Sequence, residues 1–305
     1  MQATATRGSR RILFRLTLRR RLALTGFLFL LPAVIFFATI WIWPLIRTLQ
    51  LAFYEYDFLS PPRFVGLGTI KEIVTDNLFW NSFRHTIVFT IASVPSLLVL
   101  SLLLALLINA LTTGRSIYRT GIYMTSAMSG IVAGITFRLL FNYELGQINW
   151  VLTTLGLGKA PWLINSGWAM VSLILLGLWG AMGYDMIVWL AGLQGIDPSL
   201  HEAAKIDGAG LMGTFLYVTL PLLRPVFVFL FVSNTIGSLQ VFNIVYALTQ
   251  GGPRQTTETV VYFIWREAFQ GLHMGRAAAA ASILFFVTLV LSLIQLRSTL
   301  RESPY

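Results

Sequence analysis

Residues 201–225 read HEAAKIDGAGLMGTFLYVTLPLLRP, and the fold turns on what this stretch is. It sets Glu202, Lys205 and Asp207 around Gly208 and Gly210 in a chain that is 56% hydrophobic and only 11% charged. A soluble domain has about 45–50% apolar and about 25% charged residues, so the composition excludes a soluble fold. The stretch is therefore a polar interruption between membrane segments, and those segments give it meaning.

A membrane helix needs about 20 mainly apolar residues, because lipid offers no partner to an unpaired backbone amide. Six stretches qualify, at 22–46, 86–110, 118–141, 168–193, 223–246 and 277–296. The third carries Arg119 and Arg138 near its ends, from where both snorkel to headgroups. Pro32, Pro44 and Pro95 are expected to bend the spans that hold or adjoin them. The expected fold class is all-α, a polytopic membrane protein with six transmembrane helices over 22–296. A basic segment, 1–21, precedes the spans, and a tail, 297–305, follows them.

The chain has no cysteine, which excludes disulfides, thiol catalysis and cysteine metal sites. The net charge of +10 sits beside spans and forms no single basic face, so membrane lipid, not nucleic acid, is the expected polyanion. Seven arginines lie within 7–21, ahead of an apolar run longer than the about 7–15 residues of a cleaved signal core. The first span is thus read as retained. With both termini inside, the cytoplasmic side carries thirteen Lys and Arg and the outer side nine. The arginines before the first span fix that orientation. Outer segments then run over 47–85, 142–167 and 247–276, and 194–222 is a cytoplasmic loop. Trp41, Trp43, Trp80, Trp150, Trp162 and Trp265 fall near the expected interfaces, as anchors do.

Within that loop Ser199 and Glu202 have capping-box spacing, which would commit Glu202 to its own helix. Ala203, Ala204 and Ile206 offer a small surface for another chain. Gly208 and Gly210 permit a turn into a second short helix, 211–217, and Pro221 suits a helix start. The loop has the form of a rigid protrusion and holds no paired nucleophile and base. A phosphate-binding G-x-x-x-x-G-K-[ST] is absent from the chain; LGLGK at 155–159 has the wrong spacing. His85, His201 and His273 are scattered and suggest no metal site.

This stretch resembles the EAA loop, E-A-A-x-x-x-G with a later L-P, of permease subunits of bacterial ABC importers. EAAKIDGAG with TLPLLRP resembles the sugar and glycerol-phosphate branch. GQINWVL at 146–152, LAGLQGIDPSLHEAAKIDGA at 190–209 and FNIVYALTQGGPRQTTE at 242–258 extend the likeness over nearly the whole chain. The resemblance implies a type I ABC importer permease fold in a bacterial inner membrane. It also implies a second homologous permease subunit, two ATPase subunits that bind ATP and Mg²⁺, and an extracytoplasmic sugar-binding protein. The chain itself would hold no cofactor and catalyse nothing. Glu202, Ala203, Ala204 and Gly208 match the motif, and Asp207 and Ala209 its extended form, so these six are the expected ATPase-coupling residues.

Polar groups within spans are costly and face a partner or a wet cavity. The fifth span carries Ser233, Asn234, Gly237, Gln240 and Asn243, of which Ser233, Gly237, Gln240 and Asn243 recur at three- to four-residue spacing. Neutral amides suit a hydroxyl-rich solute, and helix–helix hydrogen bonding is their competing role. Asp185 is the one carboxylate in an expected span, open to solute contact, to pairing with a neighbouring subunit or to an interfacial position. Gly180 and Gly183 read as packing positions. The favoured reading is a sugar importer subunit. A glycerol-phosphate importer is the alternative, weakened by the lack of arginine in the fifth span. An ATP-independent carrier would need internal halves and charged coupling residues, which are not evident.

Overall fold

The computed structural model describes residues 18–300, with side chains over 22–297. The seven N-terminal arginines lie outside the described side chains, as does the tail beyond Arg297. The chain divides into two compact units at Gln50/Leu51. In the first unit, α1 (Leu18–Phe37) passes through a π-helical turn, Ala38–Ile42, into α2 (Trp43–Leu51). Pro44 has no N–H to give the turn before it, and the ladder widens there.

The second unit opens with β1 (Tyr54–Glu55) and β2 (Arg63–Phe64), an antiparallel pair, followed by α3 (Gly68–Thr75). The helix α4 (Asn77–Ala110) starts well before the expected 86, because the Asp76 side chain accepts from Leu78 N–H and caps it. It runs on through Pro95. Next come α5 (Arg115–Ser126), α6 (Gly130–Leu140), α7 (Gln147–Thr154) and α8 (Ser166–Gln194). The loop expected over 194–222 holds α9 (Pro198–Ile206), α10 (Leu211–Thr214) and α11 (Leu220–Leu222), and α12 (Arg224–Leu239), α13 (Val260–Trp265) and α14 (Met274–Leu300) complete the unit.

Two expected spans are not continuous. The third is a pair, α5 and α6, bent by 91°; the fifth, expected over 223–246, stops being helical after Leu239, and a run of 211–222 ahead of it meets α12 at 64°. The first break falls in Ala127–Ser129, where Ser129 is extended. At the second, Pro225 in the first turn of α12 has no N–H to continue the incoming ladder. Among the described residues four helices are long and apolar enough to cross a membrane, or up to six spans if each bent pair counts as one.

Packing centres on α4, α8 and α12. Trp189 of α8 is buried, its Nε1–H donating to Ser101 Oγ of α4 at 3.1 Å. Gly183 lets α8 approach α5 until a Cβ there would overlap the Ile122 carbonyl and lie 2.8 Å from Tyr123 Cα, and Tyr184 N–H donates to Ser126 Oγ. The mark at 146–152 is also structural. Buried Asn149 donates to the carbonyls of Tyr143 and Ala160 and accepts from Ala160 N–H and Trp162 Nε1–H, closing the 142–162 turn on itself.

Candidate functional site

The 194–222 loop is built by local capping. Asp197 is the N-cap of α9, accepting from Ser199 N–H at 2.9 Å, and Pro198 occupies the first turn. That hydrogen bond holds the Asp197 carboxyl below its usual range. The helix therefore starts before Ser199, and the expected capping box does not form. Glu202 is exposed and makes no hydrogen bond or ion pair among the described residues.

The far end of α9 is a Schellman closure: Ala209 N–H donates to Ala204 O (2.9 Å) and Gly208 N–H to Lys205 O (3.1 Å), with Gly208 at φ +78°. Ala204 turns inward, whereas Glu202, Ala203, Asp207 and Gly208 face out and Ala209 is half-buried. Beyond Gly210 the helix expected over 211–217 extends to Leu222 through a π-helical segment, Phe215–Thr219. His201 Nε2 lies 3.3 Å from the buried Thr219 Oγ1 and ties α9 to that segment. Ile206, Leu211 and Tyr217 are left 87%, 94% and 83% exposed, apolar side chains on the loop that none of the described residues covers.

A cavity of about 390 Å³ opens among α4, α5, α6, α8 and α12. Asn234, Gly237, Gln240 and Asn243 line it as expected, joined by Ser93, Thr125 and Ser238, which sequence reading missed. Among the described residues, no Asp, Glu, Lys, Arg or His lines it. Ser233 and Asp185 are elsewhere. Asp185, 1% exposed, accepts from Asn234 Nδ2 at 2.5 Å, which joins α8 to α12 within one chain. Gln240 and Asn243 straddle a break, since α12 ends at Leu239 and helix resumes only at Asn243. Gly180 borders the cavity, and a Cβ there would meet nothing within 4 Å, so it is an opening and not a packing contact.

The expected outer loop 247–276 is largely internal. Thr257, Glu258, Thr259 and Val260 are buried, and Arg254 and Gln255 form the exposed tip. Thr259 Oγ1 donates to Val241 O at 3.0 Å, pairing a carbonyl freed by the break after α12. Val260 N–H donates to Thr86 Oγ1 of α4. Arg266 pairs with Glu258 at 2.9 Å, and Arg276 with Asp76 at 2.6 Å and Glu267 at 3.0 Å. Burial raises the Glu258 carboxyl despite Arg266 beside it.

Residues 65–301 match the family described as binding-protein-dependent transport system inner membrane component. The chain belongs to this family. Among curated relatives, the lactose transport system permease protein LacF of Rhizobium radiobacter is 33% identical over 92% of this chain and 96% of its own length. The sn-glycerol-3-phosphate transport system permease protein UgpA of Agrobacterium fabrum (strain C58 / ATCC 33970) is also 33% identical, over 92% of this chain and 96% of its own. Among solved structures, a chain of a bacterial ABC transporter involved in import of the acidic polysaccharide alginate matches with TM-score 0.83 and 26% identity, over 93% of this chain and 97% of that one. The protein is thus a multi-pass inner-membrane permease component with the fold of an ABC importer subunit, and such permease subunits are not catalytic.

Proposed function

We propose that this permease component forms half of the translocation pathway of an ATP-driven importer for a neutral sugar or oligosaccharide. The observation that carries the solute class is the cavity wall: amides of Asn234, Gln240 and Asn243 and hydroxyls of Ser93, Thr125 and Ser238, with no charged group. Neutral amides and hydroxyls both donate and accept, which matches a solute made of hydroxyls. A few polar groups on an apolar wall give orientation without tight trapping.

The second half of the pathway is a homologous permease, and an extracytoplasmic sugar-binding protein delivers the solute. Two cytoplasmic ATPase subunits, with ATP and Mg²⁺, bind the loop through Glu202, Ala203, Asp207, Gly208 and the apolar surface at Ile206, Leu211 and Tyr217; Ala204 and Ala209 shape the loop from inside. Both termini are cytoplasmic. Transport is linked to ATP because solute and nucleotide each favour one of two conformations, and differential binding is the whole of that coupling.

The sn-glycerol-3-phosphate relative supports a second reading, in which the partner permease supplies the cation an anionic solute needs. Uptake by the assembled complex carrying Gln240→Ala and Asn243→Ala separates pathway from packing. Loss of uptake with partners still co-purifying supports the pathway; loss of the partners, or unchanged uptake, refutes it. Recovery of a Walker-motif ATPase and a second permease with this chain from mildly solubilised membranes tests the assembly. Transport retained by the chain alone, without ATP, would refute it.

A further inference from the structure

A second cavity, of about 570 Å³, lies between the end of α12, α13 and α14, with Val261, Leu284 and Phe285 among its apolar lining. Three polar residues are part of its lining: Gln240, Thr288 and Ser292. Gln240 borders this cavity and the first one, so the two share a wall. Its amide makes no hydrogen bond among the described residues.

Thr288 is the unusual member. It is 8% exposed, and its Oγ1 is buried without a partner, although helical threonines commonly bond the carbonyl one turn back. Ser292 Oγ does make that bond, to Thr288 O at 2.7 Å. A buried hydroxyl left unpaired is costly, and such a group calls for an explanation.

The heights agree. Gln295 Nε2 donates to Thr235 Oγ1, and forward along α12 is backward along α14. Gln240 is five residues beyond Thr235, about 7.5 Å along the axis, while Ser292 and Thr288 are about 4.5 and 10.5 Å back from Gln295. The free amide therefore stands level with the gap between Ser292 and Thr288.

We propose that Thr288 is a solute-contacting residue, and that the pathway in this chain runs from the first cavity past Gln240 to a subsite on α14 that takes a second hydroxyl-bearing group. Gln240 and Thr288 hold the hydroxyls and Phe285 supplies an apolar face. This rests on the sugar reading for the class of solute, but its test does not.

The chain has no cysteine of its own, so Thr288→Cys gives it a single thiol, read by mass on this chain within the assembled complex. The probe is cationic 2-aminoethyl methanethiosulfonate, and Phe286→Cys, on the opposite, exposed side of α14, is the control. Labelling at 288 well above that at 286 supports a wet subsite; equal labelling overturns it. In parallel, KM is measured with lactose and with sn-glycerol 3-phosphate. Thr288→Val raises KM for the transported one about 2- to 10-fold, the worth of one hydrogen bond, and Thr288→Ser restores it. An unchanged KM overturns the proposal even if 288 is wet. Transport of the phosphate and not of lactose refutes the neutral-sugar reading while leaving both tests of Thr288 intact. Should neither solute be carried, the labelling ratio decides.

Discussion

Gly208 offers a clean test of the loop, because its space and its backbone make separate demands. A Cβ there would meet nothing within 4 Å, so the first carbon of a new side chain collides with none of the described residues. What it meets is φ +78°, the left-handed region in which the Schellman closure of α9 is made. An L-residue pays about 1–2 kcal/mol to stay there, asparagine less and a β-branched residue more. A shift of that size changes a conformational ratio about 5- to 30-fold. If the ATPase subunits bind only the closed loop, their apparent affinity falls by at most that factor, since it scales with the competent fraction. The expected order of affinity is therefore Gly, Asn, Ala, Val at position 208. It is measured as binding of purified ATPase subunits to the permease pair in lipid discs, with detergent stability followed alongside. Equal binding by Ala, Val and Gly would refute the requirement for a left-handed residue. Asn binding as poorly as Val would show that bulk at the interface, and not backbone handedness, decides.

Gly183→Leu should reduce thermal stability in detergent by about 1–3 kcal/mol or prevent folding, since α5 backbone occupies the space, whereas Gly180→Ala should not. Asn234→Leu should destabilise more than Asp185→Asn, because it strands a buried carboxylate, while the amide at 185 keeps a partner; the double variant Asp185→Leu/Asn234→Leu should recover part of the loss. Glu258 has its folded pKa raised from 4.5 by burial, so the folded state holds the proton over a window above 4.5, and stability falls as pH rises through it. Unfolding midpoints of the parent and Glu258→Gln should accordingly diverge at neutral pH, with Gln the more stable, and converge on acidification; a gap independent of pH would refute this.

Hydropathy matched the four long apolar helices, yet neither interior break was legible. The 118–141 run reads as one helix because nothing local marks Ala127–Ser129 as a corner. The corner is held from α8, where Gly183 admits α5 and Tyr184 N–H takes Ser126 Oγ, 58 residues away in sequence. The break after Leu239 is likewise closed from outside, by Thr259 on Val241 O. For the same reason the buried segment 257–260 looked like an outer loop: its polar residues satisfy distant backbone, and composition alone cannot separate that from solvation. By contrast, Asp197-Pro198 was a readable helix start, and the Ser199–Glu202 spacing competed with it. Three residues of the cavity, Gly237, Gln240 and Asn243, followed from the three- to four-residue spacing in the fifth span, and Asn234 from its polarity there. Asp185 did not, since an isolated carboxylate gives no sign that its partner is Asn234.

The loop and the cavity share their two supports, and this follows from where α8 and α12 begin and end. Helix α8 runs from the cavity wall at Gly177 and Gly180 down to Gln194, three residues before the cap of α9; α12 rises from the bend at Leu223 to Gly237 and the amides beyond. Between the two ends the helices are locked. Val226 packs so closely that a Cβ on Gly192 would lie 2.7 Å from it, and Asn234 holds Asp185. A flexible bend at Leu223 would absorb any displacement of the loop before it reached α12. Leu223 is fully buried in the α4–α8–α12 core, and His201 braces the incoming segment at Thr219, so the bend is fixed at both sides. The braced bend thus joins the loop to α12, whose far end leads into the non-helical stretch Gln240–Phe242 of the cavity wall.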